Sequence, residues 1–254
     1  MSTTTRSTSA FASANPHALA VILEASETRR IIAATDIFDL AGTKLWARNQ
    51  PVSAELQRKL LDRKLREPLE ACLVAEDGVT PASLAAALAE CIESDGRLAP
   101  LLRPQASKLL REVTHLHLHP VAQLLLSAAQ AARPESFDHA VAAMALAGAL
   151  MARHGGQAPE IRLAMIAGLL HDLGEMYIAP EFGEAEADRE LDALAYRQLV
   201  VHPHVGLLLV AQLTNYPGAV ARAVAEHHER LDGSGYPHRL TGDRISVLGR
   251  LVAV

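Results

Sequence analysis

Apolar positions recur at helical spacing through most of the chain, and this pattern divides it into segments. Ser53 opens a helix over 54–65, with apolar residues at 56, 60, 61 and 65, and Pro68 stops it. Thr80-Pro81 opens another that runs through Ile92 and ends near Gly96. From Pro100 onward the pattern is helix after helix, over 101–113, 121–132, 135–154, 160–173, 190–213 with a break near Pro203, and 217–230. A last helix begins near Ser246. Gly155-Gly156, Gly174 and Gly233 fall where helices should stop. Three short runs, 30–35, 43–47 and 69–75, have strand character, the first two joined by a turn through Asp39 to Gly42. The chain is therefore predicted to be mainly α. A loose tail covers 1–18, a small α+β unit 19–98, and a multi-helix domain 99–254.

Composition supports this class. Hydrophobic residues make up 50% of the 254 but aromatics only 4%. The core must then be built from Ala and Leu, which favours close-packed helices over stacked sheets. Net charge is −5, and with no basic surplus to neutralise phosphates a nucleic acid polymer is not an expected partner. The charge is also unevenly placed. Residues 1–133 carry 15 Lys and Arg against 14 Asp and Glu; residues 134–254 carry 9 against 15, all nine Arg, with eight of the twelve histidines. An acidic, histidine-rich, lysine-free segment suggests a metal-binding domain joined to a different partner. Cys72 and Cys91 lack metal-ligand spacing and suit reduced, packed thiols of a cytoplasmic protein. No apolar run reaches the roughly 18 residues that span a bilayer, and the Ser/Thr-rich start lacks the core of an export signal. Residues 180–188, with four acidic side chains and no apolar period, are expected to form a mobile loop.

Chemistry concentrates in the second part. Glu135 and His139 are four apart and share a helix face, which suits two ligands on one metal, but such pairs are common on solvated helix faces. His171-Asp172 ends an apolar run, so the pair should be partly buried and needs partners. Adjacent residues point about 100° apart on a helix of 3.6 residues per turn, which lets Asp172 offer an oxygen to each of two metals. A helix C-cap is the plainer alternative. His202-Pro203 belongs at a helix start, with the imidazole free to point into a site. His204, two residues on, faces another way and is expected in solvent. His227-His228 ends a helix, and Asp232-Gly233-Ser234-Gly235-Tyr236-Pro237 must be a tight loop whose glycines permit close backbone approach. The alternating tract from His115 to His119 suits an extended connector or a metal-binding tract, and His154 and His238 suit exposed or capping positions.

The stretch from His227 to Pro237 fits the pattern His-His-Glu-x-x-Asp-Gly-x-Gly-Tyr-Pro. With His171-Asp172 upstream, residues 100–254 resemble the HD-GYP family of cyclic di-GMP phosphodiesterases. The resemblance implies an HD-type helical domain whose metal ligands are Glu135, His139, His171, Asp172, His202, His227 and His228. His202 then belongs to a His-Pro-x-x-Gly stretch completed by Gly206, and Glu135 is similar to the extra ligand of trinuclear members. Asp172 and Glu175 would carry catalysis, and Asp232, Gly235, Tyr236 and Pro237 would lie beside the substrate. Two or three divalent ions are implied, and a nitrogen and oxygen ligand set without thiolate suits iron or manganese. The implied reaction is hydrolysis of cyclic di-GMP to pGpG or GMP by a hydroxide held between metals. Signalling proteins such as diguanylate cyclases are implied partners of the GYP loop.

Three positions depart from the family pattern. Glu175 stands where the family has Lys, which turns attraction for phosphate into repulsion unless the carboxylate turns to a metal. Ala142 replaces a frequent Arg. The chain also stops about two residues short of an Asp that normally completes the metal site, so its C-terminal end is read either as trimmed or as lacking that ligand. These departures keep a second reading open, a non-catalytic HD-GYP module that senses nucleotide or contacts other proteins.

Overall fold

The computed structural model describes residues 10–94, 96–180 and 193–253. Helix α1 (Pro16–Ala25) begins where Asn15 Oδ1 accepts hydrogen bonds from the backbone N–H groups of His17 and Ala18, at 2.9 and 3.1 Å. For residues 10–18 the expectation of a loose tail is corrected here. Phe11 is buried edge-on against Tyr177, and Asn15 Nδ2 donates to the Tyr177 carbonyl at 3.1 Å. The local cause is a capped amphipathic helix, Asn15-Pro16 followed by buried residues at 18, 19, 21, 22 and 25.

The predicted strands form, with different partners. Strand β1 (Ile31–Ala33) pairs antiparallel with β4 (Leu73–Ala75), Ile32 opposite Val74. Strand β2 (Ile37–Phe38) pairs with β3 (Lys44–Trp46). The run 69–75 is not one strand, because Pro68 starts a single helical turn, α3 (Leu69–Cys72), before β4 begins. Helix α2 (Ala54–Leu60) ends short of residue 65, yet Leu65 is still buried, its N–H donating to the Ala12 carbonyl at 2.6 Å. Helix α4 (Pro81–Glu93) starts at a Thr80–Ser83 capping box. Cys72 is buried and Cys91 partly so, and the two are not linked.

The remaining elements are helical. Pro104 interrupts the single helix expected over 101–113. It leaves α5 (Ala99–Leu102), a 3-10 turn (Arg103–Gln105) and α6 (Ala106–Val113), because proline cannot donate inside a helix. Then follow α7 (Pro120–Ala132), α8 (Pro134–Arg153) and α9 (Ala158–Leu170). A second 3-10 turn covers Leu173–Tyr177. Beyond it lie α10 (Ala193–Leu199), α11 (His202–Leu213), α12 (Gly218–Glu226) and α13 (Val247–Val252). Apart from Pro180, the loop expected over 180–188 lies outside the described residues. None of the helices among them is long and apolar enough to cross a membrane.

Helix α8 lies along α9, and α7 is held between α1 and α8. One apolar cluster runs from Phe11 to Val252, crossing the boundary expected near residue 98 without a gap. Polar ties cross it too. Val79 N donates to Ser127 Oγ at 2.8 Å, and Gln123 Nε2 to the Val79 carbonyl at 2.9 Å.

A buried ion-capable pair adds to these ties. Tyr177 Oη donates to Glu70 Oε1 at 2.6 Å. Burial pushes the Glu70 carboxyl above the ordinary glutamate range, although the tyrosine hydrogen bond works against it. Its contribution to stability is therefore complete below about pH 4.3, the ordinary glutamate value, and is lost as pH rises through the raised one. Above pH 4.3 the unfolding free energy of the native chain should fall relative to that of Glu70→Gln, which keeps an acceptor without the charge. Urea melts of both proteins across pH check this; parallel curves would contradict it.

Candidate metal centre

The site is assembled from helix ends. Helix α9 is apolar on nearly every side, so its last turn runs into the interior and carries His171 and Asp172 with it. His202 is the first residue of α11 and fully buried, its position set by Pro203 in the opening turn. His227 and His228 follow α12 directly. His139 projects from α8.

One local hydrogen bond repeats at three of these histidines. His171 Nδ1 lies 2.7 Å from the Gly168 carbonyl, His202 Nδ1 2.7 Å from that of Leu199, and His227 Nδ1 2.6 Å from that of Val224. A carbonyl only accepts, so each Nδ1 carries the proton and each Nε2 presents a lone pair to the centre. The Nε2 atoms then face one another, His139 with His171 at 3.2 Å and His202 with His227 at 3.1 Å. Lone pairs at such separations need a proton or a cation between them.

Asp172 joins the two pairs. Its Oδ2 lies 2.9 Å from His171 Nε2 and 3.4 Å from His139 Nε2. Its Oδ1 lies 3.2 Å from His227 Nε2 and 3.6 Å from His202 Nε2. Oδ1 is buried and accepts no hydrogen bond. Two groups able to hold a cation result, Asp172 with His202, His227 and His228, and Asp172 with His139 and His171, the ligand atoms of each lying within 4.8 Å of one another. An orphaned buried carboxylate oxygen between converging imidazole lone pairs fits divalent metal, with the backbone carbonyls as the outer partners that fix the rings.

The electrostatics agree with this geometry. Burial resists ionisation of Asp172, but the imidazoles of His171, His139 and His202 around the carboxylate outweigh it and hold the carboxyl well below its usual range. Burial also resists protonation of His171 and His202. There the Asp172 carboxylate prevails, joined at His202 by the charge of Glu175, and both pKa values rise above the ordinary one. For His227 burial wins and lowers the pKa to about 4. It is neutral, and so able to ligate, across the physiological range.

The Gly-Tyr-Pro loop packs beside His228. Tyr236 stacks on that imidazole, with ring centroids 4.5 Å apart and planes 22° apart. A side chain on Gly235 would collide with the backbone of residues 228–230, so only glycine admits this approach. Gly174 has the same kind of role. It lies within the 3-10 turn, not at a helix stop, and a side chain there would strike the His202 carbonyl.

The loop is anchored by a residue to which the sequence assigns no role. Glu229 is buried, and its carboxylate accepts the backbone N–H groups of His238 at 2.6 Å and Leu240 at 2.7 Å. Its place directly after His227-His228 is the one signal available in sequence. Glu226 similarly accepts from Ser246 N at 2.8 Å and Arg222 Nε at 2.6 Å, tying α12 to the start of α13.

Other expected residues lie further out. Glu135 is exposed in the first turn of α8, one turn before His139 and outside both ligand groups. Asp232 is exposed and closes a turn by accepting from Ser234 N at 2.9 Å. Glu175 is partly buried and lines a cleft with Asp172. Ala142 is a partly buried residue of α8, and His154, His204 and His238 are exposed. Residues 116–119 connect α6 to α7, with His119 capping α7.

Residues 104–254 match the family model described as HD domain. The chain is 29% identical over 217 residues to cyclic di-GMP phosphodiesterase PA4108 of Pseudomonas aeruginosa, covering 80% of this chain and 47% of that protein. It is 33% identical over 114 residues to the cyclic di-GMP phosphodiesterase response regulator RpfG of Xanthomonas campestris, covering 43% and 29%. It is 35% identical over 86 residues to 3'3'-cGAMP-specific phosphodiesterase 2 of Vibrio cholerae, covering 34% and 16%. The chain thus spans about half the length of the first of these relatives and less of the others, and no solved structure gives a significant match. With the model matching well over half the chain and His171-Asp172 at the centre of the ligand cluster, the chain belongs to the HD-domain family, in its HD-GYP branch.

Proposed function

We propose that this chain is a metal-dependent phosphodiesterase that hydrolyses a cyclic dinucleotide, cyclic di-GMP, to pGpG or GMP. The observation that carries the reading is the Asp172 carboxylate shared between two imidazole groups, one oxygen toward each. His139 and His171 would hold one divalent ion and His202, His227 and His228 a second, iron or manganese, with Glu135 one turn away for a third. Bound there, such ions supply Lewis acidity toward phosphate oxygens and lower the pKa of water. The chain's own residues do the rest. Three backbone carbonyls fix the imidazole tautomers, Glu229 holds the loop, and Tyr236 offers a ring against which a guanine base can stack, with Asp232, Gly235 and Pro237 shaping its edge. The Gly-Tyr-Pro loop is where a protein partner such as a diguanylate cyclase would touch. Metal analysis with a cyclic di-GMP hydrolysis assay tests the reading. Two or more ions per chain with pGpG or GMP released is the expected result, and bound ions without turnover would favour the sensing module.

Glu175 has two opposed effects. As the second catalytic carboxylate it would move a proton to the leaving oxygen, a role worth about 10²–10⁴-fold. As a charge it repels substrate phosphate by about 3 kcal/mol at 5 Å and an effective dielectric of 20, before screening. Glu175→Gln should therefore lower kcat about 100-fold and lower KM about tenfold. Steady-state kinetics at fixed metal separates the two, and an unchanged kcat would remove Glu175 from catalysis.

A further inference from the structure

The 3-10 turn Leu173–Tyr177 starts directly after Asp172 and carries Glu175 at its middle. Two backbone hydrogen bonds run along it, from Glu175 N to the Asp172 carbonyl at 2.9 Å and from Ile178 N to the Glu175 carbonyl at 3.2 Å. A 3-10 turn rises about 2 Å per residue, so Tyr177 stands roughly 10 Å along it from Asp172. On one side the turn is pressed against the start of α11, where a side chain on Gly174 would strike the His202 carbonyl and the Gly206 nitrogen. On the other side it meets the N-terminal unit, and there Tyr177 is held at three points. Its hydroxyl donates to Glu70 Oε1 at 2.6 Å, its carbonyl accepts from Asn15 Nδ2 at 3.1 Å, and its ring packs edge-on against Phe11 with centroids 5.8 Å apart. Asn15 also caps α1, and Glu70 lies in α3, so two elements of the N-terminal unit converge on one residue. Glu70 and Tyr177 are 4% and 7% exposed, and among the described residues no cation acts on the Glu70 carboxyl. An apolar pair of the same shape could fill this space at no loss of stability. What the short O–H···O bond adds is direction, since it fixes where the tip of the Tyr177 ring stands.

We infer that Glu70 and Tyr177 are positioning residues of the metal centre: through their hydrogen bond the N-terminal unit fixes the 3-10 turn, and with it the Asp172 carboxylate and Glu175. The inference rests on the proposed centre at Asp172, but not on turnover. Asp172 offers one oxygen to each ligand group, so a small rotation of the turn favours one group over the other. Glu70 and Tyr177 belong to neither group. They act through the backbone of residues 172–177, as the outer partners of metal ligands do, and loss of such a partner typically costs about 10–100-fold in metal affinity or activity. The effect here falls at the low end of that range, because Asn15 and Phe11 still hold the turn.

Titration calorimetry of manganese into the metal-free proteins, beside steady-state kinetics on cyclic di-GMP, tests this directly. Tyr177→Phe keeps the ring against Phe11 and removes the hydroxyl, Glu70→Leu removes the acceptor, and Glu70→Gln restores one. Tyr177→Phe and Glu70→Leu should each weaken manganese binding about 10-fold and lower kcat about 10-fold, with KM within about twofold. The double variant should be no worse than either single one, because both cut the same bond. Glu70→Gln should recover most of the loss. Ser127→Ala cuts a different tie between the N-terminal unit and the helical domain. It should lower the thermal midpoint and leave manganese affinity and kcat native. If Tyr177→Phe fails to fold, Glu70→Leu against Glu70→Gln decides. Native manganese affinity and kcat in Tyr177→Phe or Glu70→Leu, whatever the thermal midpoint, overturn the inference and leave the activity standing. An equal fall in Ser127→Ala makes the pair general packing and overturns the inference too. Manganese affinity that depends on the pair without any cleavage overturns the activity and leaves the inference. No binding of manganese or ferrous ion by the native protein overturns both.

Discussion

Asp172→Asn should empty both halves of the metal centre and lower kcat by at least about 10³-fold. The size of the effect follows from sharing. Any one imidazole serves a single group of ligands, whereas the two Asp172 oxygens serve both. Asparagine keeps the shape and one acceptor but loses the negative charge, and its amide presents N–H donors to imidazole lone pairs or to a cation. Removing one partner from a buried charged cluster is typically worth 3–5 kcal/mol, so metal affinity should drop by about 10²–10³-fold or more. Metal analysis after dialysis should give well under one ion per chain, with far-ultraviolet circular dichroism unchanged. His204→Ala, two residues from His202 but exposed, should leave metal content as it is. An Asp172→Asn protein that retains two ions would refute the bridging arrangement.

Glu229→Ala should release the Gly-Tyr-Pro loop and reduce kcat/KM about 100-fold or more without touching a metal ligand. The carboxylate is buried, and the N–H groups of His238 and Leu240 have it as their acceptor. A buried group left without its partner costs about 1–3 kcal/mol, so losing both should lower stability by about 2–5 kcal/mol. Glutamine is not a rescue. Its amide would turn a donor toward one of the two N–H groups. The distinguishing readout is limited proteolysis. Cleavage should appear within 231–241 in the variant and be absent from the native chain, with metal content retained. Equal protease resistance and thermal midpoint in both proteins would mean that the loop holds itself without Glu229.

Much of the fold and site is legible locally. Helix ends marked by Pro203 and by Gly155-Gly156 lie where the pattern puts them, because caps and breakers act within one turn. Elsewhere longer-range contacts decide. Residues 69–75 look like a strand by composition, but Pro68 and the burial of Glu70 against Tyr177 produce a helical turn first. Phe11 looks like part of a tail until Tyr177, far along the chain, is seen to cover it. Glu135 and His139 share a helical face, but only His139 is brought to Asp172.

By itself, then, the sequence determined the mainly helical class, the chemistry of the donors and the family. These depend on residue type and short spacing, which survive without coordinates. Only the tertiary structure decided that Asp172 is shared, that three backbone carbonyls set the imidazole tautomers, and that Glu229 anchors the loop. It also decided that the N-terminal unit and the helical domain have one core. Each of these is a meeting of atoms from distant elements, and only the packing of helix ends against one another brings such atoms within a few ångströms.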